Sequence, residues 1–187
     1  RFEAEGADRL LFLGDLLYHG PRNDLPEGYR PKGVIPLLNG VKDKLLCVRG
    51  NCDAEVDQTV LEFPIMADYL MLELDSHLIF ATHGHVYNRD NPPPIGTGDV
   101  LLHGHTHLYA MERLEHFVLL NPGSVTLPKG GNPKTYMTYE KGVFTLKTLE
   151  GQTLCADEAD QSVLVVKNGG SVVLRNCTIT KTGGTAD

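Results

Sequence analysis

Short apolar runs that stop at a glycine recur along the chain: RLLFLGD (9–15), KLLCVRGN (44–51), HLIFATHG (77–84) and DVLLHGHTH (99–107). Each has strand length, and each carries Leu, Val, Ile or Phe on both parities, which predicts strands buried on both faces. A glycine at the tip permits the backbone angles that carry the next side chain over the sheet edge. Next to that glycine, in all four runs, stands a polar residue able to hold a metal. Ligands of α/β sheets collect at the carboxyl ends of strands, so residues far apart in sequence are expected to converge there.

The segments between the runs predict the remaining elements. KGVIPLLNGV, behind a Pro/Gly-rich loop, reads as a helix, and AEVDQTVLEF as another. From Ile65 onward the texture is that of hairpins: YLMLELDSHLIFAT turning at Asp75-Ser76, AMERLEHFVLLNPG, and TYMTYEKGVFTLKT turning at Glu140-Lys141-Gly142. Residues 85–99, with three consecutive prolines, read as a loop. The opening RFEAEGA has the texture of the closing turns of a helix, so residues are expected to precede it.

After Gly151 the composition changes. CADEADQ is acidic and weakly patterned, and SVLVVKNGGSVVLRNCTIT gives two β-rich runs around Asn168-Gly169-Gly170. A domain boundary is placed near residue 152, separating a main domain (1–152) from a β-rich appendage (153–187). The appendage resembles a rung of a parallel β-helix, although a lone rung cannot bury its faces. A hairpin docked on the main domain is the other reading, with one of its strands filling an open strand slot there.

Composition narrows the partners. The 187 residues, 41% of them hydrophobic, suffice for a substantial core. The formal charge of −7, with no cluster of Lys or Arg, argues against a broad nucleic-acid surface or a polybasic membrane patch. No apolar run approaches the roughly 20 residues of a membrane helix. Four cysteines without a CxxC pair point to a reduced, cytoplasmic setting. A homo-oligomer is left open.

Asp15, Asn51, His83, His105 and His107 are the candidate ligands. Two oxygen donors and three imidazoles suit Mn²⁺, Fe or Zn²⁺ better than Ca²⁺ or a thiolate-bound metal. Singly, each has an ordinary explanation: Asp15 as a cap, Asn51 as a turn residue, His83 as a satisfied strand-end histidine. Jointly those explanations require five coincidences at equivalent strand tips.

GDLLYHG, GNCD, THGH and GHTH, in that order, resemble the sequence blocks of calcineurin-like metallophosphoesterases. HGPRNDLPEGYRPKGV, VRGNCDAEVDQ and NPGSVTLPKGGNP are more narrowly similar to the bacterial YfcE-type phosphodiesterases, over residues 1 to about 152. The resemblance implies an α/β fold, a two-sheet β-sandwich flanked by helices, with two metals at the strand ends. It makes Asp15 the carboxylate bridging both ions, gives Asn51, His83 and His105 to the second ion, and gives His107 to the first. Asp15, Asn51, Cys52 and His105 would serve catalysis, and His19 would touch the substrate phosphate or else only shape the Gly-Pro turn. Mn²⁺ is the first choice of metal, with Fe, Zn²⁺ or Ni²⁺ as alternatives.

The implied activity is hydrolysis of a small phosphodiester by a metal-activated hydroxide. The family's Asp-x-His block does not occur before Asp15, so one well-held ion and slow turnover are expected of this polypeptide. Cys52 stands where the wider family has a histidine; a thiol is a poorer proton donor there, which favours substrates with good leaving groups. The alternative is a noncatalytic scaffold of the same fold, in the manner of retromer's sorting subunit. His85, His103, His77, His116 and Cys47 are expected in structural roles, and NPGSV as turn chemistry.

Overall fold

The computed structural model describes residues 1–149, together with the backbone of Thr153–Ala156 and Thr178–Lys181. A single helical turn, α1 (Phe2–Glu5), leads into strand β1 (Leu10–Phe12). Helix α2 (Pro31–Asn39) starts on Pro31, where the missing N–H costs nothing, and is followed by β2 (Leu45–Cys47). β1 and β2 pair in parallel, with Phe12 opposite Cys47. Their core contains Leu17, Leu45, Cys47, Leu61, Phe63 and Ile65, with Ile35 and Leu38 of α2 packed against it. The residues of β1 are only half-buried, less than its apolar run predicts.

The second predicted helix shrinks to one turn, α3 (Glu55–Gln58). The Gln58 amide donates to the carbonyls of Leu61 and Phe63, and its oxygen accepts from the Ile65 N–H. Those side-chain bonds satisfy the backbone of an irregular loop, so a helix is not needed to do it.

Strands β3 (Tyr69–Leu74) and β4 (His77–Thr82) form the expected hairpin, with Asp75 and Ser76 at positive φ in its turn. β5 (Val100–His103), β6 (Tyr109–Arg113) and β7 (Val118–Pro122) complete a five-stranded sheet ordered β3-β4-β5-β7-β6. Its three inner strands are parallel, and the two edges run antiparallel to them. The hairpin of β8 (Thr135–Glu140) and β9 (Val143–Thr148) places Met137 and Phe144 on one face of the sheet, with Ile79, Val100 and Leu120. The other face packs Phe80, Leu101, Phe117 and Leu119 beneath Tyr87 and Ile95 of the Pro-rich loop.

The backbone of β10 (Thr153–Ala156) pairs in parallel with β11 (Thr178–Lys181), Thr153 opposite Thr178. The expected turn at Asn168-Gly169-Gly170 and the strand proposed to fill a slot lie outside the described residues.

Candidate metal centre

The ends of β1, β2, β4 and β5 meet, and the loops leaving them are tied to one another. Asp53 is buried, and its carboxylate accepts the N–H groups of Asp15 at 2.8 Å, Leu16 at 2.9 Å and Gly50 at 2.7 Å. This clamp holds Asp15 at φ 56, a left-handed conformation uncommon for any residue but glycine. The Cys52 N–H then donates to Asp15 Oδ1 at 2.9 Å, which leaves Oδ2 turned to His83, 3.5 Å from its Nε2. Gly50 is obligatory, because a Cβ there would fall 2.1 Å from Asp15 Oδ1.

His83 is 2% exposed, and its Nδ1–H donates to the Leu13 carbonyl at 2.5 Å. That bond fixes the tautomer and puts the lone pair on Nε2. Asn51 Oδ1 lies 3.0 Å from Nε2, its amide oriented by donation from Nδ2 to Cys52 Sγ at 3.2 Å. His105 Nδ1 is also 3.0 Å away. His83 Nε2 thus faces both Asn51 Oδ1 and Asp15 Oδ2, a set of acceptors that suits a cation. Donors bound to one ion at about 2.1 Å stand roughly 3.0–3.4 Å apart, so the spacing and the donor chemistry both fit a borderline transition metal. Among the described residues, no three His, Cys, Asp or Glu side chains form a ready-made cage by themselves. Asn51 adds an amide oxygen beside His83.

His105 and His107 sit at φ 64 and φ 61. Of the six non-glycine residues at positive φ among the described residues, three are candidate ligands and three are hairpin-turn residues. His107 Nδ1–H donates to the Leu127 carbonyl at 2.7 Å, leaving Nε2 as the acceptor, but no hydrogen bond joins it to the other four donors. Desolvation lowers the pKa of both imidazoles, helped by His83 at His105 and by Lys129 at His107, which favours the neutral, ligand-competent form.

Behind these ligands lies a buried polar network in the NPGSV stretch, where only turn chemistry was expected. Asn121, 1% exposed, donates to Gly104 O at 2.9 Å and Thr106 Oγ1 at 3.0 Å, and its Oδ1 accepts from the Gly123 N–H at 2.9 Å. It therefore grips the residues on either side of His105. The only sequence signal for it was an asparagine ending an apolar run. His103 is buried against the Gly104 carbonyl at 3.1 Å. His85 is exposed beside the centre, its ring 5.3 Å from that of His83.

Cys52 Sγ faces the loop of Gly20, where a Cβ would come within 3.0 Å of it. Burial, then the Asp15 charge, pushes its thiol up to about 11. His19 lies between the rings of Tyr18 and Tyr29, at 5.1 and 5.5 Å, and its buried Nε2 has no partner among the described residues.

Known proteins resemble this chain over most of its length. Residues 1–141 match the model of the calcineurin-like phosphoesterase superfamily domain. Phosphodiesterase YfcE of Escherichia coli K12 is 46% identical over 158 residues, covering 84% of this chain and 86% of that protein. The solved structure of E. coli YfcE, described as a phosphoesterase, superposes with a TM-score of 0.77 at 47% identity over 79% of this chain and 81% of that one. A probable metallophosphoesterase of Bacillus subtilis, YsnB, is 32% identical over 112 residues, 54% of this chain and 60% of that one. The strand-end donors and these matches agree: the chain belongs to the calcineurin-like phosphoesterase superfamily and has the metallophosphoesterase fold.

Proposed function

We propose that this protein is a metal-dependent phosphodiesterase acting on a small phosphodiester, with Asp15, Asn51, His83 and His105 as the ligands of its firmly held ion. The observation that carries the reading is the convergence of Asn51 Oδ1, His105 Nδ1 and Asp15 Oδ2 on His83 Nε2 at 3.0, 3.0 and 3.5 Å. Bound metal supplies a deprotonated water and charge compensation for the phosphoryl oxygens. The chain's own residues do the rest. Leu13 and Leu127 hold the imidazole tautomers of His83 and His107, and Asp53 holds the backbone of Asp15. Asp15 and His107 would contribute donors to a second ion.

Cys52, where the wider family has a histidine, is the proposed proton donor to the departing alkoxide, its thiol raised to about 11 by burial and the Asp15 charge. Its weak acidity favours substrates whose leaving group needs little protonation. His19 Nε2, buried and unpartnered, is suited to donate to a phosphate oxygen. Mn²⁺ is the proposed metal, by donor chemistry. A reducing cytoplasmic setting is supported by the cysteine usage, and residues 153–187 are read as a separate appendage. Among the described residues no helix is long and apolar enough to cross a membrane.

Release of p-nitrophenolate from bis(p-nitrophenyl) phosphate tests the reading. Hydrolysis should need added Mn²⁺, stop with EDTA, and fall at least 100-fold in His83→Ala. Turnover unaffected by EDTA would overturn it.

A further inference from the structure

A cavity of about 230 Å³ opens next to the metal centre, lined by Asp68, Tyr69, His85, Val86 and Tyr87. His85 joins the two places, because its ring lies 5.3 Å from the His83 ring and 6.3 Å from the His105 ring while it also walls the cavity. The walls are built from aromatic surface that the core does not use up. Tyr69 stacks one face on Phe80, 4.7 Å between centroids and 18° between planes, yet remains 46% exposed. Tyr87 stands edge-on to both Tyr69 and Phe80, and Val86 is 50% exposed. A tyrosine at the first position of an edge strand, backed by a buried phenylalanine, is a rigid platform whose free face costs little conformational entropy to use.

A phosphodiester held at the metal donors carries two ester substituents, and this is an apolar cavity beside the donors that can accept one. We infer that Tyr69, Tyr87 and Val86 form a subsite for a planar, uncharged aromatic substituent of the substrate, of nucleobase or aryl size. The inference rests on the phosphodiesterase reading of the adjacent centre. Two features set the class. The crossed rings of Tyr69 and Tyr87 offer one face and one edge, the arrangement that receives a flat ring. Asp68 adds a carboxylate to the lining, which repels a second phosphate and so selects against a continuing polynucleotide strand. His85 then acts as the threshold over which the ester linkage passes.

Calorimetric titration of the Mn²⁺-loaded protein with phenylphosphonate and with methylphosphonate tests this. Both carry the same anion, and neither is hydrolysed. Phenylphosphonate should bind about tenfold more tightly, the size expected for one ring stacked on an aromatic side chain. The preference should vanish in Tyr69→Ala and also in Val86→Asp, an exposed loop position whose change leaves the core intact, with Mn²⁺ affinity unchanged in both. Equal affinity for the two anions, or a preference that survives both substitutions, overturns the subsite. Because heat of binding is read and not turnover, failure to hydrolyse bis(p-nitrophenyl) phosphate would count against the phosphodiesterase reading alone.

Discussion

Asn121 touches no proposed ligand, yet the position of His105 depends on it. Its amide spans Gly104 and Thr106, and its oxygen takes the Gly123 N–H. Asn121→Ala would leave these buried groups unpaired, which costs about 2–4 kcal/mol of stability. Because it also frees the His105 loop, it should weaken Mn²⁺ binding at least tenfold by calorimetry, a size usual for groups that orient a ligand. Asn121→Asp keeps the acceptor and loses both donations, so it should impair metal affinity as well while Gly123 stays satisfied. Cys47 makes a separate prediction. Burial, with the charge of Asp53 adding to it, raises its thiol from the ordinary 9.0 to about 12. Between those values the folded state keeps a proton that the unfolded chain releases, so stability falls as pH rises from about 9 to about 12. Urea melts across that range should show a shallower decline in Cys47→Val than in the parent protein.

At the level of elements, the centre is held by loop ties more than by the strands that deliver it. β1 and β2 are three residues each, and their exits are fastened through Asp53, which accepts three backbone N–H groups. Asp53→Ala removes charge-assisted bonds from a buried clamp and should cost about 3–5 kcal/mol. The released Asp15 should leave its left-handed conformation, so Mn²⁺ affinity should fall by tenfold or more, read by competition with a fluorescent chelator. Retained affinity in a folded Asp53→Ala would show that Asp15 needs no clamp. The strands were legible in sequence because each is an apolar run closed by a glycine, and the hairpins because alternation and turn residues coincide. AEVDQTVLEF misled because its apolar spacing suits a helix, while the Gln58 side chain supplies the backbone bonds of a loop instead.

For the molecule as a whole, the candidate donors could be named from sequence, since Asp15, Asn51, His83 and His105 each follow a strand. Their mutual distances could not, because those depend on how β1–β2 meets the five-stranded sheet through the bond from His83 to the Leu13 carbonyl. Asn121 and Asp53 escaped for the same reason: their importance lies in backbone groups brought near by the fold, and no side-chain pattern records it. Among the five, only His107 makes no hydrogen bond or ion pair to another candidate donor, so the four that meet at His83 Nε2 form the proposed binding set. Anomalous diffraction at the manganese edge from crystals grown with Mn²⁺ tests that claim most directly. A strong peak is expected bounded by Asp15 Oδ2, Asn51 Oδ1, His83 Nε2 and His105 Nδ1. No peak among those four atoms would contradict it.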